Sequence, residues 1–82
     1  VSDVTGDCRA ALAAAAAGRW DEAHGLVQRH EGDPVADWIH AVVHKAEGDL
    51  SNSRYWYRRA DRLAHVDDDP GGELDVIRAE MR

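Results

Sequence analysis

Two stretches of the chain, 30 residues apart, follow the same plan: Ala11 to Gly18 (ALAAAAAG) overlays Ala41 to Gly48 (AVVHKAEG). Both are built from helix-favouring residues, and both stop at glycine, which takes the left-handed conformation that ends a helix. Two residues past each glycine comes a large apolar side chain, Trp20 or Leu50. Five past it comes a small one, Ala23 or Ser53. A large residue at the first position wedges between paired helices, and a small one at the second lets their backbones approach. The pattern restricts the chain to a helical hairpin used twice.

Reading outward from that repeat predicts an all-α chain of about five short helices: two hairpins and a C-terminal capping helix. The first helix is expected over 7–17. The second starts near Trp20 and shows an apolar face of Trp20, Ala23, Val27 and His30, with Asp21 and Glu22 in its first turn, where the helix dipole favours acids. Asp33 and Pro34 read as an N-cap and first-turn proline of a third helix that runs to Gly48. Its wide stripe of Val35, Trp38, Ile39, Val42, Val43 and Ala46 makes it central to the core. Asp49 or Ser51 caps a fourth helix with Trp56, Tyr57, Ala60, Leu63 and Ala64 inward. A last helix over 73–81 buries Leu74, Ile77 and Met81, either packing on a symmetry mate or, in a monomer, folding back over the fourth. Asp67, Asp68 and Asp69, followed by Pro70, Gly71 and Gly72, make residues 65–72 a solvated loop. Residues 1–5 are expected to fray, and the opening Val1 reads as a processed or trimmed terminus.

In this order of features the chain resembles the tetratricopeptide family. Ala11, Gly18, Trp20, Ala23 and Pro34 fit that repeat in the first hairpin, and Ala41, Gly48, Leu50, Ser53 and Ala60 in the second. The match covers residues 8–64. It departs from the family in its period of 30 rather than about 34, and in placing His40 and His44 where apolar or tyrosine side chains are usual. The run from Trp38 to Ala60 is also similar to a group of small uncharacterised helical proteins. The tetratricopeptide resemblance implies a small scaffold that presents a groove to a protein or peptide partner.

The chain has 82 residues with 44% hydrophobic and 32% charged side chains, enough for one thin core and a single domain over 1–82. A net charge of −6 argues against a nucleic-acid partner, since phosphate neutralisation needs the opposite sign. The apolar run from Ala10 to Ala17 is too short to span a membrane, and a cytoplasmic location is expected. The single cysteine, Cys8, rules out an intrachain disulfide. Two hairpins also leave apolar ends, and a homodimer through the first or last helix around Leu12 is set against a closed monomer.

Two constellations carry chemistry. On the third helix Asp37, His40, His44 and Glu47 fall on one face, opposite the apolar stripe. Two histidines at i and i+4 with a carboxylate one turn on can offer a divalent ion three ligands. The simpler reading is a polar stripe facing water. The spacing lacks the HExxH pattern and an obvious fourth ligand, so no metal site and no cofactor are assigned. On the fourth helix Tyr55 stands among Arg58, Arg59 and Arg62, a setting suited to a carboxylate or phosphate, or simply to pairing with nearby acids. Set against the scaffold is therefore a small-molecule or divalent-metal binding protein. Its polar site would lie between the third helix (His40, His44, Glu47) and the fourth (Tyr55, Arg58, Arg59), and whether it is an enzyme stays open. His24 and His30 read as ordinary helix histidines.

Overall fold

A computed structural model describes residues 3–81 of the chain. Its elements are α1 (Val4–Ala16), α2 (Trp20–Gln28), α3 (Pro34–Ala46), α4 (Leu50–Ala60), a 3-10 turn (Leu63–His65) and α5 (Pro70–Glu80). Among the described residues there is no strand, so the all-α reading with five helices stands.

The repeat is visible in the backbone. Gly18 and Gly48 both sit at φ +82°. Gly18 N–H donates to Ala15 O and Arg19 N–H to Ala14 O, at 2.9 and 2.8 Å. The same two bonds recur at Gly48 N–H to Lys45 O and Asp49 N–H to His44 O, at 3.0 and 2.9 Å. This paired closure satisfies carbonyls that the helix end would otherwise leave bare. At the small positions, Ala11, Ala23, Ala41 and Ser53 are all buried, and Ser53 Oγ donates to Ala41 O at 2.8 Å, joining α4 to α3. The large positions differ: Trp20 is partly buried against the core, whereas Leu50 is 65% exposed instead of wedged. Among the described residues α4 packs substantially only on α3 and the 3-10 turn, which leaves its first turn uncovered.

The third helix is the central one. It packs against α1, α2, α4 and α5, and from Ala36 to Val43 every residue is buried. Asp33 caps it as expected, its carboxylate accepting the Ala36 N–H at 2.9 Å with Pro34 in the first turn. Ala46, at its last turn, is exposed rather than part of the stripe.

Four further boundaries differ from expectation, each for a local reason. Of the residues expected to fray, 1 and 2 lie outside the described ones. Asp3 accepts the Thr5 N–H and starts α1 at Val4, ahead of the predicted Asp7. Asp49 occupies the N-cap position of α4 but makes no capping bond to its backbone. The chain reverses at Asp61, which adopts φ 58°, so α4 ends at Ala60 and Leu63 and Ala64 turn outward instead of joining its apolar face. Asp69 then accepts the Gly72 N–H and opens α5 at Pro70, which shortens the solvated loop to residues 66–69.

The last helix packs on α1 and α3 rather than folding over α4. Leu74 and Ile77 are buried there as predicted, with Met81 partly buried. Glu73 is buried beside them. Its carboxylate accepts hydrogen bonds from Trp38 Nε1 (2.7 Å), Tyr57 Oη (2.7 Å) and Lys45 Nζ (2.6 Å). A buried carboxylate is tolerated only when donors replace its lost water, and here three side chains from two helices do so. Burial and the Glu73 carboxylate drive the Tyr57 phenol far above its usual range. Leu12, expected at a dimer seam, is buried within the chain.

Candidate histidine cluster

His40 and His44 lie one turn apart on α3 and therefore share a face. That face does not look into water: His40 is 2% exposed and the His44 side chain 13%. The expected solvent-facing stripe is absent because α3 has neighbours on all sides. Asp37 is buried as well, and it accepts the Gly32 N–H at 3.1 and 3.2 Å, tying down the turn before α3 rather than joining the histidines. Burial raises its carboxyl above the usual range. Glu47 is exposed and lines an open cleft with Trp20, Asp21 and Glu22.

The third member comes from another helix. His24 follows the buried Ala23 on α2, and its Nε2 lies 3.0 Å from His40 Nε2. One of those nitrogens carries the proton and the other accepts it. The ring of His24 meets both α3 imidazoles edge-on, with centroids at 4.7 and 4.9 Å, while His40 and His44 stack at 5.0 Å. One ring nitrogen from each of the three falls within 4.8 Å of the other two. His40 Nδ1 is buried with no hydrogen-bond partner among the described residues.

Surrounding groups set the electrostatics. His40 stacks on Trp56 at 3.9 Å between centroids, and the Arg59 guanidinium lies over the same indole at 4.9 Å. Burial lowers the His40 value to about 3, and the charges of His24, His44 and Arg59 push it the same way. His40 is consequently neutral at pH 7, the form in which imidazole binds a metal. Asp49 Oδ2 stands 3.4 Å from His44 Nδ1. The Asn52 amide and His44 together hold the Asp49 carboxyl below its usual range. A carboxylate in that place orients an imidazole and makes its other nitrogen more basic.

The fourth-helix constellation only partly assembles. Tyr55 accepts from Arg59 at 3.3 Å on the exposed side of α4. Arg58 is exposed and forms no ion pair among the described residues. Arg62 leaves the group altogether, lying over Trp38 at 4.7 Å and pairing with Glu80 at 3.2 Å. The polar cluster thus lies between α2 and α3, with Trp56 of α4 beneath it, and not between α3 and the α4 arginines. Sequence reasoning missed His24 because helical periodicity relates residues within one helix. The available signal was its place beside Ala23, the small residue through which α2 approaches its partners.

Chemically, three imidazole ligands suit a borderline divalent ion such as zinc, nickel, cobalt or copper. Tetrahedral zinc holds nitrogens at about 2.0–2.1 Å, which spaces them roughly 3.4 Å apart. The widest separation in the cluster would close by about 1.4 Å from its 4.8 Å limit. Reaching that spacing requires the His24 and His44 rings, the two that are only partly buried, to turn. No helix among the described residues is long and apolar enough to cross a membrane. In comparisons with known proteins, the chain matches no family model, no curated sequence and no solved structure.

Proposed function

We propose that the protein binds a divalent transition-metal ion at His24, His40 and His44. The observation that carries this reading is the convergence of one nitrogen from each imidazole within 4.8 Å, around a buried His40. Two supports accompany it: burial keeps His40 unprotonated, and Asp49 stands beside His44 as a carboxylate that can orient it. The hydrogen bond between His24 and His40 leaves His40 Nδ1 buried and without a partner among the described residues, at a cost of about 1–3 kcal/mol.

Isothermal titration of tag-free protein with zinc tests the proposal. A single site is expected in the wild type, weakened at least tenfold in His24→Gln and in His44→Gln. Both substitutions fall on partly exposed side chains, so the fold should survive them. Equal millimolar binding in all three proteins would end the reading.

A second reading, the tetratricopeptide-like interaction module, draws its support from Leu50, Tyr55 and Leu63, which are large apolar or aromatic side chains left exposed at and beyond α4. The face shared by α1 and α3 is covered by α5, so a protein or peptide partner would meet the chain at α4. Capture of one partner from soluble extract by the wild type but not by Leu50→Ser and Tyr55→Ser variants is the expected result. Equal capture by both proteins would remove the α4 surface.

A further inference from the structure

The cluster supplies three ligands and stops there. Asp49 approaches His44 from the Nδ1 edge, and an imidazole turned to a metal through Nε2 keeps that carboxylate on the opposite side of its ring. Asp37 is committed to the Gly32 N–H, and Glu47 belongs to the open cleft near Trp20. Among the described residues no cysteine or carboxylate joins the three histidines within ligand range. A tetrahedral ion held here has a fourth position for which the described residues offer no group, the arrangement that separates reactive zinc sites from closed structural ones.

Charge and access decide what fills it. Three neutral imidazoles leave the ion its whole double positive charge, and Arg59 adds another on the indole that His40 stacks against. His24 and His44 are only partly buried, unlike His40. We propose that the metal-loaded site takes a small monodentate anion, of the carboxylate class, as its fourth ligand. This rests on the metal-binding reading above, and deepens it from a metal site to a site for an anionic ligand.

The test uses the full chain loaded with cobalt(II), whose visible d–d bands report coordination number and donor type. Azide and acetate serve as probes. The expected result is a cobalt spectrum that each probe shifts saturably, with one probe bound per metal, and loss of both bands and response in His24→Gln. Cobalt bands that require His24 but ignore a large excess of both probes would overturn the anion proposal and leave metal binding standing. Absence of any cobalt or zinc binding would overturn both. An anion response that persists in His24→Gln would place the metal elsewhere and so refute the site.

Discussion

Replacing Glu73 by glutamine keeps the size of the side chain and removes its charge. The Glu73 side chain is fully buried and that of Lys45 is 10% exposed, so their 2.6 Å ion pair has little water to fall back on. In the variant a single carbonyl oxygen must serve Trp38 Nε1 and Tyr57 Oη, while an amide NH₂ faces the Lys45 ammonium, donor against donor. Lys45 then keeps only the His65 carbonyl, at 3.2 Å. Removing one partner of a buried pair costs about 3–5 kcal/mol. A chain of 82 residues has a total of roughly 4–12 kcal/mol at 0.05–0.15 per residue, so the loss is a large share. At about 4–8 °C per kcal/mol the thermal midpoint should fall by at least about 12 °C. Circular dichroism melts at neutral pH, with urea unfolding alongside, measure it. The double variant Glu73→Gln, Lys45→Met should recover much of the loss, because no unpaired charge is left behind. A Glu73→Gln midpoint within about 3 °C of wild type would refute the idea that this carboxylate fastens α5 to α3 and α4.

Acid stability should report on His40. Its value near 3 in the folded protein against 6.5 normally means that the unfolded chain binds a proton the folded chain does not. The resulting stability is full above pH 6.5 and is lost as pH falls towards 3, at up to about 1.4 kcal/mol per pH unit. With EDTA present, His40→Gln should flatten that limb of the urea midpoint against pH, and an unchanged slope would contradict it. Zinc at a hundredfold excess over its dissociation constant should add about 2.7 kcal/mol, roughly 10–20 °C in melting temperature, and none in His24→Gln. Gly18→Ala and Gly48→Ala meet no atom within 4 Å, so each should cost only the left-handed backbone penalty, about 1–2 kcal/mol. Unequal costs in urea titrations would break the equivalence of the two turns.

The helices and their stops were legible because they depend on local chemistry: glycine at the left-handed positions, Asp33 and Pro34 at an N-cap, an apolar stripe along α3. The packing partner of α5 was not, since Leu74 and Ile77 say that the helix is buried on one side without saying where. Glu73 reads as an ordinary first-turn acid in isolation. Only the arrival of Trp38, Lys45 and Tyr57 from other helices makes it a buried anchor. The candidate site follows the same division. The i, i+4 relation of His40 and His44 was evident, their orientation stayed open between core and water, and His24 entered only through tertiary contact. The α4 arginines drew attention by density, yet Arg62 folds back on Trp38 and Arg58 faces water.

The histidines are shared unequally between their helices, two on α3 and one on α2. Hemmed in by four other helices, α3 would open only when the whole fold does, whereas α2 packs chiefly on α1 and α3 and can detach at lower cost. An ion held by the cluster would therefore have a stepwise way in and out. Detachment of α2 withdraws His24 alone and leaves His40 and His44 as a standing two-nitrogen clamp, so exchange would proceed through a half-bound state. The rate of metal release would follow the opening of a nine-residue helix rather than the unfolding of the protein.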